Sequence, residues 1–291
     1  EAPVPVLEVQ KEWLKLGLAA NISHNLQTMN IPSLLCGITG SDRNASLMEN
    51  LLEEENLSIW GLERDKSRPT IYKERWTTNP QQTCRIDYED TSPLSSEVTE
   101  RLLSRIEEFM EKHRAVILED YAKGTLPPEV IQRVIQLGKE RKSIVAVDPG
   151  LNISPEVYKG AFLFKPNLKE AKLMATELGH RTDDVKELAQ LLSERLELEN
   201  LVITLGAEGM AMLEKGGEMK IIPTAANEVF DVSGAGDTAI SLLTASLLAG
   251  ASVEEAAWIG NCGSGVVVAK KGTATVGLQE LLDFHERLTA N

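Results

Sequence analysis

The sequence predicts an α/β fold in which a central, mostly parallel sheet carries helices on both faces. Three observations lead there. Short apolar blocks bounded by turn or charged residues alternate with longer helical stretches. The blocks have the length and composition of strands buried between helical layers. A Gly-rich turn, Asp231 to Thr238, opens directly into an apolar helix. Such alternation builds parallel sheets, and these bind ligands outside the carboxyl ends of their strands.

In chain order, Pro3–Val9 reads as extended with no helix attached, and Ala19–Asn30 as a helix. Ser33–Gly37 is a short apolar strand, followed by a helix over Ala45–Glu55. Thr70–Tyr88 alternates apolar and polar residues without a helix, so it pairs with Pro3–Val9 as a small β-flap, either a lid or a dimer contact. Helices over Glu97–Lys112, Glu129–Lys142, Leu168–Leu178 and Val185–Glu194 then alternate with strands over Ala115–Glu119, Ile144–Asp148, Ala161–Lys165 and Leu201–Leu205. The final third holds an apolar helix, Thr238–Ala249, and a Gly-Ala-Ser turn. A last helix runs to about Lys270, with Glu254 and Glu255 in its first turn, where carboxylates complement the helix dipole. No internal repeat or second domain is marked, so residues 1–291 are read as one domain with a flap from 3–9 and 70–88.

Composition excludes several function classes. With 42% hydrophobic and 25% charged residues, the 291-residue chain is neither disordered nor collagen-like. Asp and Glu number 44 against 30 Lys and Arg, a net charge of −14 that repels nucleic acid and anionic membranes. Cys36, Cys84 and Cys262 are scattered, which fits a reducing compartment and neither a disulfide framework nor a zinc site. The apolar stretch Ala239 to Ala251 is interrupted by Ser241, Thr244, Ser246 and Gly250, so no membrane span is expected. No basic region followed by an apolar run marks a signal peptide. A soluble cytoplasmic protein is the expectation, and the start at Glu1 without Met leads to the further expectation that residues precede it.

The chemistry concentrates in Asp231-Val-Ser-Gly234-Ala235-Gly236-Asp237-Thr238. Glycines let successive N–H groups converge, and the positive end of the following helix adds to their field, giving a cup for a phosphoryl group. Three readings of this segment stand side by side. One is an ordinary helix N-terminus with Asp in its first turn. A second is a dinucleotide fingerprint, since Gly234 to Ala239 fits G-x-G-x-x-A; but no strand lies between the helix and Glu254, and Asp237 repels a pyrophosphate. The third makes Asp237 the base that deprotonates a hydroxyl attacking a phosphoryl group, with the amides of Ala235, Gly236 and Asp237 stabilising the charge that develops. No Walker A pattern or protein-kinase catalytic loop occurs.

These residues resemble the C-terminal signature of the PfkB/ribokinase family of carbohydrate kinases, and further motifs follow in family order. Gly17-Leu-Ala-Ala-Asn21 resembles the sugar-binding Gly-Gly-x-x-Asn turn, and Gly37-Ile-Thr-Gly40-Ser-Asp42 the strand-end motif after it. Pro166-Asn167-Leu-Lys-Glu170 resembles the Asn-x-x-Glu motif for Mg²⁺ and phosphate, and Thr204-Leu-Gly206-Ala-Glu-Gly209 the nucleotide-binding strand and turn. Asn261 to Thr273 resembles the helix and loop that enclose the adenine. Within the family, Glu1 to Val6, Arg85-Ile-Asp87, Asp120-Tyr-Ala-Lys123-Gly and Gly265 to Val268 are similar to heptose 7-phosphate kinases of bacterial ADP-heptose synthesis.

The resemblance implies a ribokinase-like three-layer sandwich and ATP- and Mg²⁺-dependent transfer to the anomeric hydroxyl of a heptose 7-phosphate. Asp237 becomes the base. Asn167, Glu170, Thr204, Gly206, Gly209, Asn261 and Thr273 bind nucleotide, with Glu170 toward the metal, and Gly17, Asn21, Arg85, Asp120 and Lys123 bind sugar phosphate. It also implies a first strand ahead of Glu1; a homodimer through the flap is a separate expectation, drawn from the extended segments. Two positions depart from the pattern: Leu18 replaces the second glycine of the sugar turn, and Gly150 follows Asp148-Pro149 where a lysine is usual. From the residues alone, Asn167 and Glu170 also read as helix caps, and Lys73, Arg85 and Lys123 as solvated side chains. A kinase for another sugar or nucleoside, and a binding protein without turnover, are the alternatives to a heptose kinase.

Overall fold

Apolar blocks in the middle of the chain become strands because they are short, β-branched and buried on both sides, and their alternate residues face opposite layers. A computed structural model describes residues 6–78, 81–226 and 228–289. Its elements are α1 (Ala19–Thr28), β1 (Gly37–Thr39), α2 (Arg43–Glu54), β2 (Leu62–Arg64), β3 (Tyr72–Thr78), β4 (Gln81–Tyr88), α3 (Ser96–Met110), β5 (Ala115–Glu119), α4 (Pro128–Arg141) and β6 (Ile144–Asp148). These are followed by β7 (Leu163–Phe164), α5 (Leu168–Glu177), α6 (Val185–Arg195), β8 (Asn200–Thr204), β9 (Met210–Glu214), β10 (Lys220–Ile222), α7 (Ala235–Leu248), α8 (Val253–Val268) and α9 (Leu278–Thr289).

The main sheet runs β10-β9-β8-β7-β6-β5, parallel from β5 to β8 and antiparallel over its last two strands. Strand alternation sorts its residues into two cores. Val145, Val147, Phe164, Leu201 and Ile203 pack with Leu102 of α3, Ile131 of α4, Met174 of α5 and Leu188 of α6. Ala146, Leu163 and Val202 face the other way, onto Ile22 of α1, Ile240 and Leu243 of α7 and Ala256 of α8. Each fully buried aliphatic side chain contributes about 1.5–3 kcal/mol. The expected three-layer α/β/α sandwich with a mostly parallel sheet is borne out. Helix α7 is apolar almost all round and correspondingly buried from Asp237 to Thr244, as a central helix must be.

Several expected elements move. The strand expected over Ser33–Gly37 forms over Gly37–Thr39 instead, paired in parallel with β2 in a separate two-stranded sheet. Strands β2, β9 and β10 and helix α9 were not anticipated. The expected flap is half right: β3 and β4 form an antiparallel hairpin with a register shift at Trp76/Thr77, but residues 6–9 carry no strand. Pro3, Pro5 and the other residues before Val6 lie outside the described residues.

A polar knot fixes the root of the hairpin. Asp42 caps α2 by accepting from the Ala45 amide at 2.9 Å, and also accepts from the amide and hydroxyl of Thr70 at 2.8 and 2.7 Å. The Thr70 hydroxyl in turn accepts from the Gly40 amide at 2.9 Å. A Cβ at position 40 would press against the Arg68 carbonyl at 2.6 Å, so only glycine fits there. Burial works against the Asp42 carboxylate, yet the Thr70 hydrogen bonds outweigh it and hold its pKa below the ordinary value. Replacing Asp42 by Ala removes a cap and leaves Thr70 unpaired. We expect Asp42→Ala to lower unfolding free energy by about 1–2 kcal/mol in urea titration.

Candidate active site

Glu119 and Asp148 end neighbouring strands and pair in register, Lys165 directly follows β7, and Asn167 bridges to Thr204 at the end of β8. Polar side chains thus line up along the carboxyl edge of the parallel strands, where this class of sheet binds ligands. The N-terminus of α7 closes over them. Gly234 caps that helix at φ 83°, in the left-handed region, and Asp231 shapes the turn by accepting from the amides of Ser233 and Gly272, both at 2.9 Å.

Asp237 sits in the first turn of α7 and is 8% exposed. Its Oδ2 accepts from Asn21 Nδ2 at 2.6 Å and its Oδ1 from the Tyr121 hydroxyl at 3.2 Å. Asn21 is placed by α1, and Asn25, one turn on, donates to the Asn21 carbonyl and accepts from the Thr238 hydroxyl. Asn21 therefore reaches the glycine turn from the opposite end of the sequence, while Gly17 lines the cleft. A Cβ on Gly234 would lie 3.1 Å from Asn21 Nδ2 and 3.5 Å from Thr273 Cγ2, so Asn21, Gly234 and Thr273 meet at one point. Asp237, Gly234, Gly17, Asp120, Lys123, Arg85 and Thr273 all line a cleft of about 2590 Å³ that reaches to the hairpin.

The amides differ from expectation. Ala235 N donates to the Val232 carbonyl at 3.3 Å and Thr238 N to Gly234 at 3.0 Å. Among the described residues of the turn, the amides of Val232, Gly234, Gly236 and Asp237 donate to no protein acceptor, and the last two lie in the first turn of α7, where a helix leaves such groups. The Asp120 carboxylate accepts from Tyr158 at 2.6 Å and from the Ala122 amide at 2.7 Å, so besides lining the cleft it orders the loop to Gly124. Thr273 stands beside the glycine turn, its carbonyl accepting from Lys15 at 2.6 Å. Asn261 is buried in α8 and donates to the Pro223 carbonyl at 2.6 Å, holding the chain that leaves β10.

Asn167 and Glu170 form a capping box: Glu170 N donates to Asn167 at 3.0 Å, and Asn167 N to Glu170 Oε2 at 2.8 Å. The plain capping role is thus present, and the pair is also beside Thr204. Burial first, with Asp148 adding, raises the Glu170 carboxyl above its ordinary value despite the Asn167 amide. Among the described residues no three His, Cys, Asp or Glu side chains form a metal cage. Mg²⁺ does not need one, since it is held by one or two carboxylates and completed by phosphate oxygens and water. Glu170 is a hard-oxygen donor of that kind. Gly206 and Gly209 turn the chain at φ 63° and 99°, and a Cβ at Gly209 would run into the Ile222 carbonyl.

At the cleft's outer end Arg85 pairs with Asp87 at 3.0 Å, and Lys123 with Glu89 at 2.6 Å. Lys73 joins both carboxylates at 3.1 and 3.2 Å. Cys262 is a packing residue, its thiol pushed by burial up to about 11. Sequence reasoning missed Tyr121, Lys15 and Asp231 as builders of the site, and for Asp231 the signal was present: an Asp two residues before Ser233 is an Asx-turn pattern.

Fold and site together define an α/β protein that sets the Asp237 carboxylate beside a glycine turn on a cleft along the carboxyl edge of its parallel strands. A family model described as pfkB family carbohydrate kinase matches residues 7–280. The chain belongs to the pfkB family of carbohydrate kinases, as the order of its motifs implied. It is 38% identical over 289 residues to the bifunctional protein HldE of Nitratiruptor, covering 99% of this chain and 60% of that one. It thus spans less than two thirds of that relative. Among solved structures, phosphofructokinase-2 of Escherichia coli in complex with fructose-6-phosphate matches with a TM-score of 0.77 at 17% identity, covering 99% of this chain and 92% of that one. Arabidopsis thaliana ribokinase complexed with ribose and ATP gives 0.72 at 17%, covering 91% and 85%. Both likenesses are of fold, and the expected ribokinase-like architecture stands. Among the described residues no helix is long and apolar enough to cross a membrane.

One local departure has a measurable cost. Leu18, which caps α1, has φ 54° and ψ −141°, a combination suited to glycine. We expect Leu18→Gly to raise unfolding free energy by roughly 1 kcal/mol in urea titration, since the relieved strain exceeds the lost burial and added chain entropy.

Proposed function

We propose that the chain transfers the terminal phosphoryl group of ATP to the anomeric hydroxyl of a heptose 7-phosphate, a step toward ADP-heptose. The observation that carries this reading is the Asp237 carboxylate, fixed by Asn21 and Tyr121 beside the free amides of Gly236 and Asp237 on a large cleft. Similarity to HldE over 99% of the chain supports the heptose substrate.

Asp237 accepts the proton of the attacking hydroxyl. Asn21 and Tyr121 hold its two oxygens, so the carboxylate meets the hydroxyl in one orientation. The amides of Gly236 and Asp237 collect charge from the transferring phosphoryl oxygens. Glu170 would hold Mg²⁺, which neutralises phosphate charge when bound. At the outer end, Arg85 and Lys123 exchange Asp87 and Glu89 for the substrate's 7-phosphate.

Asp237→Asn keeps the shape and removes the base. Turnover should fall by about 10²–10⁴-fold while ATP affinity holds. Near-parental turnover would remove Asp237 from its role. A panel of phosphorylated and plain sugars, read by ADP release, tests the acceptor: preference for an unphosphorylated sugar or nucleoside overturns the heptose assignment.

We also propose that two copies associate through the hairpin β3–β4. It pairs with no other strand among the described residues and exposes Ile86 and Tyr88. Sedimentation velocity at micromolar concentration should show a dimer, and Ile86→Lys should shift it to monomer. A monomeric parent overturns the assignment.

A further inference from the structure

Lys165 is the most deeply buried lysine or arginine among the described residues, 2% exposed. Leaving water costs its ammonium several kcal/mol unless partners compensate. Its pairing is with Asp148, at 2.7 Å. Strand alternation explains its direction. Phe164 faces the α3–α6 core and Leu163 the α7–α8 core, so Lys165 turns toward α7. A Cβ on Gly236 would lie 3.6 Å from Lys165 Nζ and 3.8 Å from Asp148 Oδ2. The ammonium therefore lies directly against the glycine turn.

The charges around it do not balance. Glu119, Asp148 and Glu170 all act on Lys165, and Asp237 acts on both Glu119 and Asp148. Three carboxylates thus act on one ammonium, and a fourth, Asp237, acts on two of them, beside a turn that must receive anions. Part of this is relieved by protonation: burial first, then Asp148 and Asp237, drive the Glu119 pKa well above the ordinary value, and its Oε2 has no partner. Lys165 itself is kept charged, because Asp148, Glu119 and Glu170 outweigh the burial that opposes it.

We propose that Lys165 is a positioning residue that supplies the fixed positive charge of the glycine-turn anion site, acting from beneath Gly236 on the phosphates of a nucleoside triphosphate. Asp148 holds the ammonium in place. The inference deepens the kinase reading and rests on it for the nucleotide, but not for the sugar. It assigns a cation to a site where Gly150 supplies none.

The test measures binding by calorimetry with ATP, inorganic tripolyphosphate and adenosine. Lys165→Met should weaken ATP and tripolyphosphate at least about tenfold, the scale of a lost charge contact in a preorganised site. Adenosine affinity should be unchanged. Because a lone buried Asp148 threatens folding, Lys165→Met/Asp148→Asn is measured alongside, since a neutral pair of similar volume is tolerated where a broken one is not. If either folded variant binds ATP and tripolyphosphate as the parent does, or loses adenosine equally, the inference fails. A parent that binds neither phosphate probe overturns it together with the anion site. A wrong sugar affects none of these readings, and a failed sugar panel leaves this result standing.

Discussion

A buried hydrogen bond of 2.6 Å joins Asn21 to Asp237, residues 216 apart in sequence, and the site depends on it. The bond ties α1 to α7 at the one point where the reacting carboxylate needs a fixed direction. It is backed by Asn25, which holds Asn21 through its carbonyl and Thr238 through its hydroxyl. A buried amide network of this kind is favourable when every member is satisfied and costly when one is lost. The amide of Asn21 also adjoins Gly234, so the acid and the anion turn are located by the same contact.

Around that bond the chain concentrates negative charge at the carboxyl edge of its parallel strands. The sheet delivers Glu119 and Asp148 side by side because their strands are in register, and β7 delivers Lys165 one strand further on. Such crowding is stable because burial neutralises one carboxyl and pairs another. At the hairpin, Arg85, Lys123 and Lys73 form a mixed ion-pair cluster with Asp87 and Glu89, apart from the carboxylates along the strand ends.

The layered fold was legible because parallel strands bury both faces and so read as uniform apolar blocks; Ala115–Glu119 and Ile144–Asp148 form as expected. Met210–Glu214 is equally apolar but follows Gly209 so closely that it reads as the tail of a turn. Helix α9 hid because its buried face is narrow, with Leu281 the buried residue among its twelve. In the site, the glycine turn, Asn21 and Asp237 were readable as motifs. The loop-ordering bonds of Asp120 were not readable, because they depend on Tyr158 and on the Ala122 amide coming beside it. Tyr121 and Lys165 carry no motif: their roles come from where neighbouring strands end, which only tertiary structure sets.

The knot at Gly40, Asp42 and Thr70 bears on how this architecture diversifies. It fastens the root of the hairpin to α2 through side chains that belong to neither hairpin strand. The hairpin from Tyr72 to Tyr88 is thereby a graftable appendage. Its length, tip and charge can be rewritten, and a new acceptor molecule admitted, while the catalytic floor keeps its coordinates.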